Sequence, residues 1–294
     1  MLKYIVFLIL PLITCGAHAD DFSNALANVR NNCANLSDKM EHIKTMAGIN
    51  TAVTGVGTAT AAGATAVGIA KSRTDAQLAQ ILTKIRNSST SRTSYQNPPK
   101  QTISQLLATA NGANQTAVKL NDKSKQLGHA RTGLLGASTA TNVAGAVISS
   151  KNTVDEEFQA QVDDCVNSIR ILERATGQAR MDGVDVKQAQ KIISACGRWK
   201  DVDLSKINTK AKAAMISSIV GAGTGAAGTI TSAVANTDSV RTGDAKDKNL
   251  NIASNVLAGG TTIASGVATV FNATQISAAK KIVAVAQECE EALK

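Results

Sequence analysis

Four cysteines divide this sequence symmetrically, and their spacing limits the fold more than any other feature. Cys33 and Cys165 lie at equal distances from the second proline of the only Pro-Pro pair. Cys196 and Cys289 lie at equal distances from the Thr-Gly pair at residues 242–243. Two antiparallel helical hairpins, each closed by a disulfide at its open end, would have this symmetry. The spacing therefore predicts the pairs Cys33–Cys165 and Cys196–Cys289, and the main alternative joins Cys165 to Cys196 and Cys33 to Cys289.

The first 19 residues have the pattern of a signal peptide. Lys3 precedes an apolar run from Tyr4 to Ile13, and the small-x-small sequence Ala17-His18-Ala19 follows it. We therefore expect export to the periplasm or the extracellular space. Cleavage after Ala19 would remove Cys15 and leave four of the five cysteines, an even number that favours disulfides over metal ligation in an exported protein. The mature chain would begin at Asp20. The alternative is a lipid anchor on Cys15, because the four residues that end there resemble a bacterial lipobox.

The composition favours helices and an elongated shape. Only 2% of the residues are aromatic, the chain has three prolines, and no stretch alternates polar and apolar residues as a strand does. We predict an all-α fold of elongated, tandem antiparallel hairpins, four helices pinned by two disulfides. The predicted parts are a signal peptide (1–19), hairpin 1 (20–172), a connector helix (173–195) and hairpin 2 (196–294).

Small residues recur at spacings of three and four in both hairpins, and these seams resemble the glycine-zipper motif of bacterial envelope proteins. The similar sequences Thr54–Thr58 and Val220–Thr224 indicate a tandem repeat. We expect the seams to let neighbouring helices approach closely. The principal seams contain Gly48, Gly55 and Gly63 in hairpin 1 and Gly221, Gly225 and Gly228 in hairpin 2. Shorter seams contain Gly133, Ala137, Ala140 and Ala144, and Ser254, Ala258, Thr261, Ser265 and Ala268.

Close packing of this kind would stabilise the helices in either of two environments, a soluble bundle or a membrane. Residues 47–70 are 24 uncharged residues. At about 1.5 Å each they could cross the roughly 30 Å hydrocarbon layer of a bilayer. Few of them are strongly apolar, so the segment is too weakly hydrophobic to insert as a lone helix. We therefore expect a soluble bundle, with membrane insertion as the alternative.

Basic residues concentrate at the tip of hairpin 1. Residues 71–131 contain ten Lys or Arg and two acidic residues, which accounts for the whole positive excess of the mature chain. Anionic lipid or an acidic surface polymer is therefore a candidate partner, and a merely solvated end is the alternative. The only aromatic residue of this segment is Tyr95, which argues against nucleic acid because bases would have no stacking platform. The candidate contacts are Lys84, Arg86, Arg92 and Lys100.

No pattern in the sequence indicates catalysis, a cofactor or a metal site. The HExxH, GxSxG and Walker motifs are missing, and His42 and His129 are each alone in their segments. We predict an exported, non-enzymatic helical protein of the cell envelope or extracellular space that acts by interaction, with a homo-oligomer as a further candidate assembly. The alternative function is a membrane-inserting or pore-forming protein that uses the Gly/Ala/Thr-rich hairpins.

Non-reducing peptide mapping of the exported protein tests the hairpin symmetry. We expect one peptide that links Cys33 to Cys165 and another that links Cys196 to Cys289, because each pair would close one hairpin. A peptide that links Cys165 to Cys196 would contradict the two-hairpin fold, since it would join residues of different hairpins.

Overall fold

The protein is all-helical. A computed structural model describes residues 20–90, 100–237 and 245–294, and no strand occurs within these ranges. The predicted signal peptide with Cys15, Arg92 and the pair at 242–243 lie outside the described residues, as does the side chain of Lys100. The helices are α1 (20–32), α2 (Leu36–Thr90), α3 (Lys100–Lys151), α4 (Glu156–Met181), α5 (Lys187–Cys196), a 3-10 helix (Gly197–Asp201), α6 (Ser205–Ala235) and α7 (Ala245–Leu293).

The long helices form two antiparallel hairpins, α2 with α3 and α6 with α7. The Ser138 hydroxyl of α3 donates to the backbone oxygen of Gly57 in α2 at 2.9 Å. The Ser254 hydroxyl of α7 donates to the backbone oxygen of Gly228 in α6 at 3.2 Å. The prediction of an all-α hairpin fold is confirmed.

The predicted connector helix over residues 173–195 is wrong as a single element. Helix α4 ends at Met181, and α5 begins only at Lys187. Gly183 lies between them with a φ of 79°. This left-handed conformation costs glycine little and turns the chain out of α4.

The chain divides into two compact units whose boundaries cut across both hairpins. Unit 1 comprises the described residues of Met1–Asn50, Ile148–Ala213 and Phe271–Lys294. Unit 2 comprises those of Thr51–Val147 and Ala214–Val270. Each long helix therefore contributes one part to each unit.

Unit 1 has the polarity of an ordinary water-soluble domain. Its buried cluster contains large apolar side chains, among them Trp199, Phe158 and Leu36. The unit also holds both disulfides. Cys33 is bonded to Cys165 (S–S 2.00 Å) and Cys196 to Cys289 (S–S 1.99 Å), which are the pairs that the symmetry of the sequence favours.

Acidic side chains fix the starts of two helices in unit 1. The Asp155 carboxylate accepts a 2.7 Å hydrogen bond from the backbone N–H of Phe158, as an N-cap residue does. The Asp203 carboxylate accepts from both the hydroxyl and the backbone N–H of Ser205, where α6 begins. The hydrogen bond from the Ser205 hydroxyl holds the pKa of the Asp203 carboxyl below its usual value.

Candidate functional site in unit 2

The helices of unit 2 bury one face each, and the buried positions alternate in steps of three and four. This 3.5-residue period is that of a coiled coil. The buried face of α2 contains Thr54, Gly57, Ala61, Ala64, Gly68, Lys71, Asp75 and Leu78, and that of α3 contains Ser124, Gly128, Arg131, Leu135, Ser138, Asn142 and Gly145. The buried face of α6 contains Ala214, Ser218, Gly221, Gly225, Gly228, Ser232 and Ala235, and that of α7 contains Asp247, Asn251, Ser254, Ala258, Thr261, Ser265 and Ala268.

Hydrogen bonds between small polar side chains connect these faces. The Ser265 hydroxyl of α7 donates to the Asn142 Oδ1 of α3 at 2.9 Å. Asn142 Nδ2 in turn donates to the backbone oxygen of Ser138, also at 2.9 Å. Thr224 of α6 and Thr261 of α7 place their hydroxyl oxygens 3.0 Å apart. The interior of unit 2 is therefore held mainly by polar contacts rather than by large apolar side chains.

Large apolar side chains of unit 2 lie on its outer surface instead. Val256 and Ile263 of α7 are 69% and 70% exposed. Seventeen large apolar residues of the described part of unit 2 are exposed, against only Ile49, Ile171 and Met181 in unit 1. Those of unit 2 are Val56, Ile69, Leu82, Leu107, Val118, Val143, Val147, Ile216, Ile219, Val220, Ile230, Val234, Ile252, Val256, Ile263, Val267 and Val270. Unit 2 thus has the reverse polarity of unit 1.

Hydroxyl groups on the outer surface of unit 2 bond to their own helix. Thr60 Oγ1 donates to the Val56 backbone oxygen at 2.9 Å, and Thr231 Oγ1 donates to that of Ala227 at 2.8 Å. Threonine commonly makes this bond to the carbonyl four residues before it. These hydroxyls therefore do not depend on water for a hydrogen-bond partner.

Three helical regions are long and apolar enough to cross a membrane by length and composition. They are Asp20–Asn87, Ser205–Ala235 and Ala245–Leu293. In each region, only 28% of the most apolar 18-residue window is buried within the protein. The most apolar parts of these helices therefore belong largely to the surface.

A buried ionic cluster lies at one end of the polar interior. Lys71 Nζ is 2.8 Å from the Asp75 carboxylate and 3.4 Å from that of Asp247. Asn251 Nδ2 donates to both carboxylates, at 3.3 Å to Asp75 and 2.9 Å to Asp247, and Ser124 donates to Asp75. One lysine faces two carboxylates here, and the amide and hydroxyl donors complete their hydrogen bonding.

Arg131 lies next along the interior with its side chain fully buried. Its Nη2 donates to Asn255 Oδ1 at 2.6 Å, whereas Nε and Nη1 have no partner among the described residues. The guanidinium packs against Gly68, where a Cβ would come within 2.8 Å of the Arg131 Cζ. A Cβ at this position would also come within 2.1 Å of Asn255 Oδ1, so a larger residue would require the side chains of Asn255 and Arg131 to shift.

A single apolar layer follows Arg131. It consists of Ala64, Leu135 and Ala258, with the half-buried Leu134 packed against it. Gly228 makes room for this layer, since a Cβ there would lie 3.4 Å from Leu135 Cδ1. Leu135 is the one large apolar side chain that the interior buries between Arg131 and Asn142.

The predicted seam residues differ in burial between the hairpins: those of hairpin 2 are buried, whereas those of hairpin 1 are not. Gly221, Gly225 and Gly228 are buried, and a Cβ on Gly225 would lie 2.6 Å from Thr139 Oγ1. The α7 seam from Ser254 to Ala268 is likewise buried. In α2, by contrast, a Cβ on Gly48 or Gly55 would meet nothing within 4 Å, and one on Gly63 would meet only Leu134, at 3.6 Å. The predicted α3 seam of Gly133, Ala137, Ala140 and Ala144 is exposed.

The error in α2 has a physical cause. This helix carries two stripes of small residues at helical spacing, and Gly57, Ala61, Ala64 and Gly68 form the stripe that is buried. The buried stripe continues into Lys71 and Asp75, whose charges meet hydrogen-bonding partners inside the unit. A charged pair at i and i+4 that is in phase with small residues is the signal that would have identified this stripe.

Of the predicted contacts in the basic tip, only two can be placed with their side chains. Lys84 and Arg86 are exposed near the end of α2. Lys71 and Arg131 contribute to the positive excess of the tip in the sequence, but both are buried and so are not surface charges. Among the described residues, no group of three His, Cys, Asp or Glu side chains is arranged to hold a metal ion.

The chain matches no protein-family model, and comparisons with curated proteins and with solved structures found no similar protein. The distribution of polar and apolar side chains in unit 2 is therefore the observation that bears on function.

Two leucine substitutions test which glycines are close to a neighbouring helix. Gly225→Leu should destabilise the protein by about 1 to 3 kcal/mol, because its side chain would overlap Thr139. Gly55→Leu should be neutral or stabilising by up to about 1 kcal/mol, since the site is open and leucine favours the helix more than glycine. Urea denaturation followed by circular dichroism measures both. Equal destabilisation by the two variants would contradict the structure, because it would mean that the face of α2 that carries Gly55 contacts a neighbouring helix.

Proposed function

We propose that the protein inserts into a membrane through unit 2. The reversed polarity of this unit carries the proposal, because its helices bury Gly, Ser, Thr and Asn and turn Ile and Val outward. A large exposed apolar surface marks an interaction site. The hydrocarbon interior of a bilayer suits this surface. Polar groups within a bilayer must find partners inside the protein, which is where unit 2 places its Ser, Thr and Asn side chains.

Unit 1 provides an internal reference for this interpretation. Both units belong to one chain, so a difference in polarity between them does not reflect a difference in overall composition. Unit 1 buries its large apolar side chains around Trp199 and Phe158, as expected for contact with water. Unit 2 has only Ala64, Leu135 and Ala258 as a buried apolar cluster. This contrast supports an apolar environment for the outer surface of unit 2 alone.

The spacing of charges supports the same environment. Four uncharged stretches cover residues 45–70, 132–150, 213–237 and 249–279. The shortest has 19 residues, which span about 28 Å as a helix, close to the roughly 30 Å of a hydrocarbon core. Each stretch has a lysine beside one end, and long lysine side chains can reach the membrane interface from there. The lysines are Lys44, Lys151, Lys212 and Lys280.

The finer architecture predicted from the sequence is part of the proposal. We infer an exported protein with tandem hairpins and glycine-zipper-like packing in unit 2. Gly57 of the first hairpin and Gly221 of the second both face Asn142, with a Cβ at 3.6 Å and 3.0 Å from its Oδ1. The two glycines are not equivalent positions of the sequence repeat, which aligns Gly57 with Gly223, but each brings its helix close to Asn142 of α3. Small residues at such contacts are typical of helix packing in membranes.

Vesicle flotation of the mature protein tests insertion. We expect the wild-type protein to float with both neutral and anionic vesicles and to resist extraction at high pH. The double variant Val256→Asp, Ile263→Asp should remain in the aqueous fraction, because an aspartate costs about 2.5 to 3.5 kcal/mol at the centre of a bilayer. Both positions are exposed, so helix content in water should not change.

Met181→Asp is the matched control for this experiment. Met181 is 79% exposed in unit 1 and should tolerate the charge without loss of flotation. Wild-type protein that stays soluble, or a double variant that floats as well as the wild type, would contradict membrane insertion and favour the soluble interaction protein predicted from the sequence.

The exposed basic side chains of the tip favour a second, compatible function, the docking of an anionic surface. The double variant Lys84→Gln, Arg86→Gln should weaken binding to anionic vesicles by about 2 kcal/mol at low salt, since each basic residue contributes about 1 kcal/mol there. Sedimentation with vesicles at increasing salt measures the effect, which should shrink as salt rises. Lys187→Gln, Lys191→Gln in unit 1 is the control, and an equal loss with this variant would leave the tip as a solvated end.

A further inference from the structure

We propose that the polar interior of unit 2 is an anion pathway, closed in this structure by the layer around Leu135. The inference rests on the proposed membrane insertion and adds a transported class of ion to it. Its basis is the order of side chains along the interior of unit 2: an open cavity, a charged cluster, an arginine with two unpartnered nitrogens, one apolar layer and a further polar segment.

The pathway begins at a cavity of about 660 Å³ that opens to the surface of unit 2. Lys84 and Lys248 line it, together with polar side chains that include Gln80 and Asn251. Asp75 also lines the cavity and belongs to the buried ionic cluster with Lys71 and Asp247. The cavity therefore connects water directly to the buried polar interior.

Arg131 is the next group inward, and two of its nitrogens lack partners among the described residues. A buried charge is costly unless it is paired, and ionisable residues inside membrane proteins commonly mark ion pathways. The two carboxylates of the cluster already accept hydrogen bonds from Lys71, Asn251 and Ser124. The unpartnered N–H donors of Arg131 are thus available to a ligand of negative charge.

The apolar layer of Ala64, Leu135 and Ala258 interrupts this polar series. On the side away from Arg131, Ser138 donates to the Gly57 backbone oxygen, and Asn142 and Ser265 are hydrogen-bonded to each other. Polar groups therefore lie on both sides of one leucine. Hydrophobic constrictions of this kind close channels by excluding water.

The charges along the pathway favour anions over cations. Lys71 and Arg131 balance Asp75 and Asp247, so Lys84 and Lys248 of the cavity lining leave these six groups with two more positive than negative charges. Basic side chains that line a pore favour the passage of anions. We therefore assign small inorganic anions, with chloride as the test ion, to this pathway.

Chloride entry into vesicles that contain a halide-quenched dye tests the pathway with the mature chain. Leu135→Ser should raise the rate of entry by about tenfold or more, since it removes the apolar barrier of one buried leucine. Leu134→Ser is the matched control, because Leu134 is only half-buried at the edge of the layer, and it should change the rate less than twofold. Arg131→Gln in the Leu135→Ser background should reduce the preference for chloride over potassium.

Flotation of each variant separates the two proposals. Wild-type protein that fails to float removes the proposed function itself. Protein that floats while Leu135→Ser and wild type admit chloride at the same rate overturns the pathway and leaves insertion intact. If Leu135→Ser loses helix content, Leu135→Ala provides the same test with a smaller apolar side chain, and an unchanged rate for that variant would equally overturn the pathway.

Discussion

Hydrogen bonding between small side chains is the constraint on which unit 2 depends. Glycine, serine and threonine bring the helix backbones close together but bury little apolar area, so dispersion and polar contacts must hold the helices. Asn142 joins α3 to α7 through Ser265 and also lies against Gly221 of α6. A hydrogen bond adds about 0.5 to 1.5 kcal/mol in water, but leaving it unmade in an apolar medium costs considerably more. Such an interior therefore suits lipid at least as well as water.

Unit 1 is stabilised by different interactions. Its apolar cluster surrounds Trp199 and Phe158, and each disulfide closes a loop of 132 or 93 residues. On a chain-entropy basis, loops of this length stabilise a fold by about 4 to 5 kcal/mol each. Both disulfides thus lie in unit 1, whose polarity suits water. The proposed membrane surface lies in unit 2, whose described residues form no disulfide.

The sequence was sufficient for the helical class, the hairpins and the preferred cysteine pairs, because these follow from proline-free stretches and from spacing. It did not decide which face of α2 is buried. Gly48 and Gly55 lie on one small-residue stripe and Gly57 and Gly68 on another, so spacing alone favours neither. The buried stripe is determined by the residues that pack against it. Arg131 and Asn255, which lie against Gly68, come from two helices that are distant in the sequence. The buried stripe is therefore a tertiary property, and the pathway side chains Arg131 and Leu135 could not be identified without it.

The weak hydrophobicity of the single helices and the proposed insertion are consistent with each other. A helix such as α6 carries Ile216, Ile219 and Ile230 on its exposed side and Ser218 and Ser232 on its buried side. Alone in a bilayer, such a helix would expose its polar stripe to lipid, which lowers its tendency to insert. In the assembled unit the polar stripes cover one another, and the large apolar side chains remain on the outer surface. A chain of this kind could cross an export channel without arrest and become compatible with a membrane once its hairpins have packed together, so that assembly rather than the hydrophobicity of any one helix would control insertion.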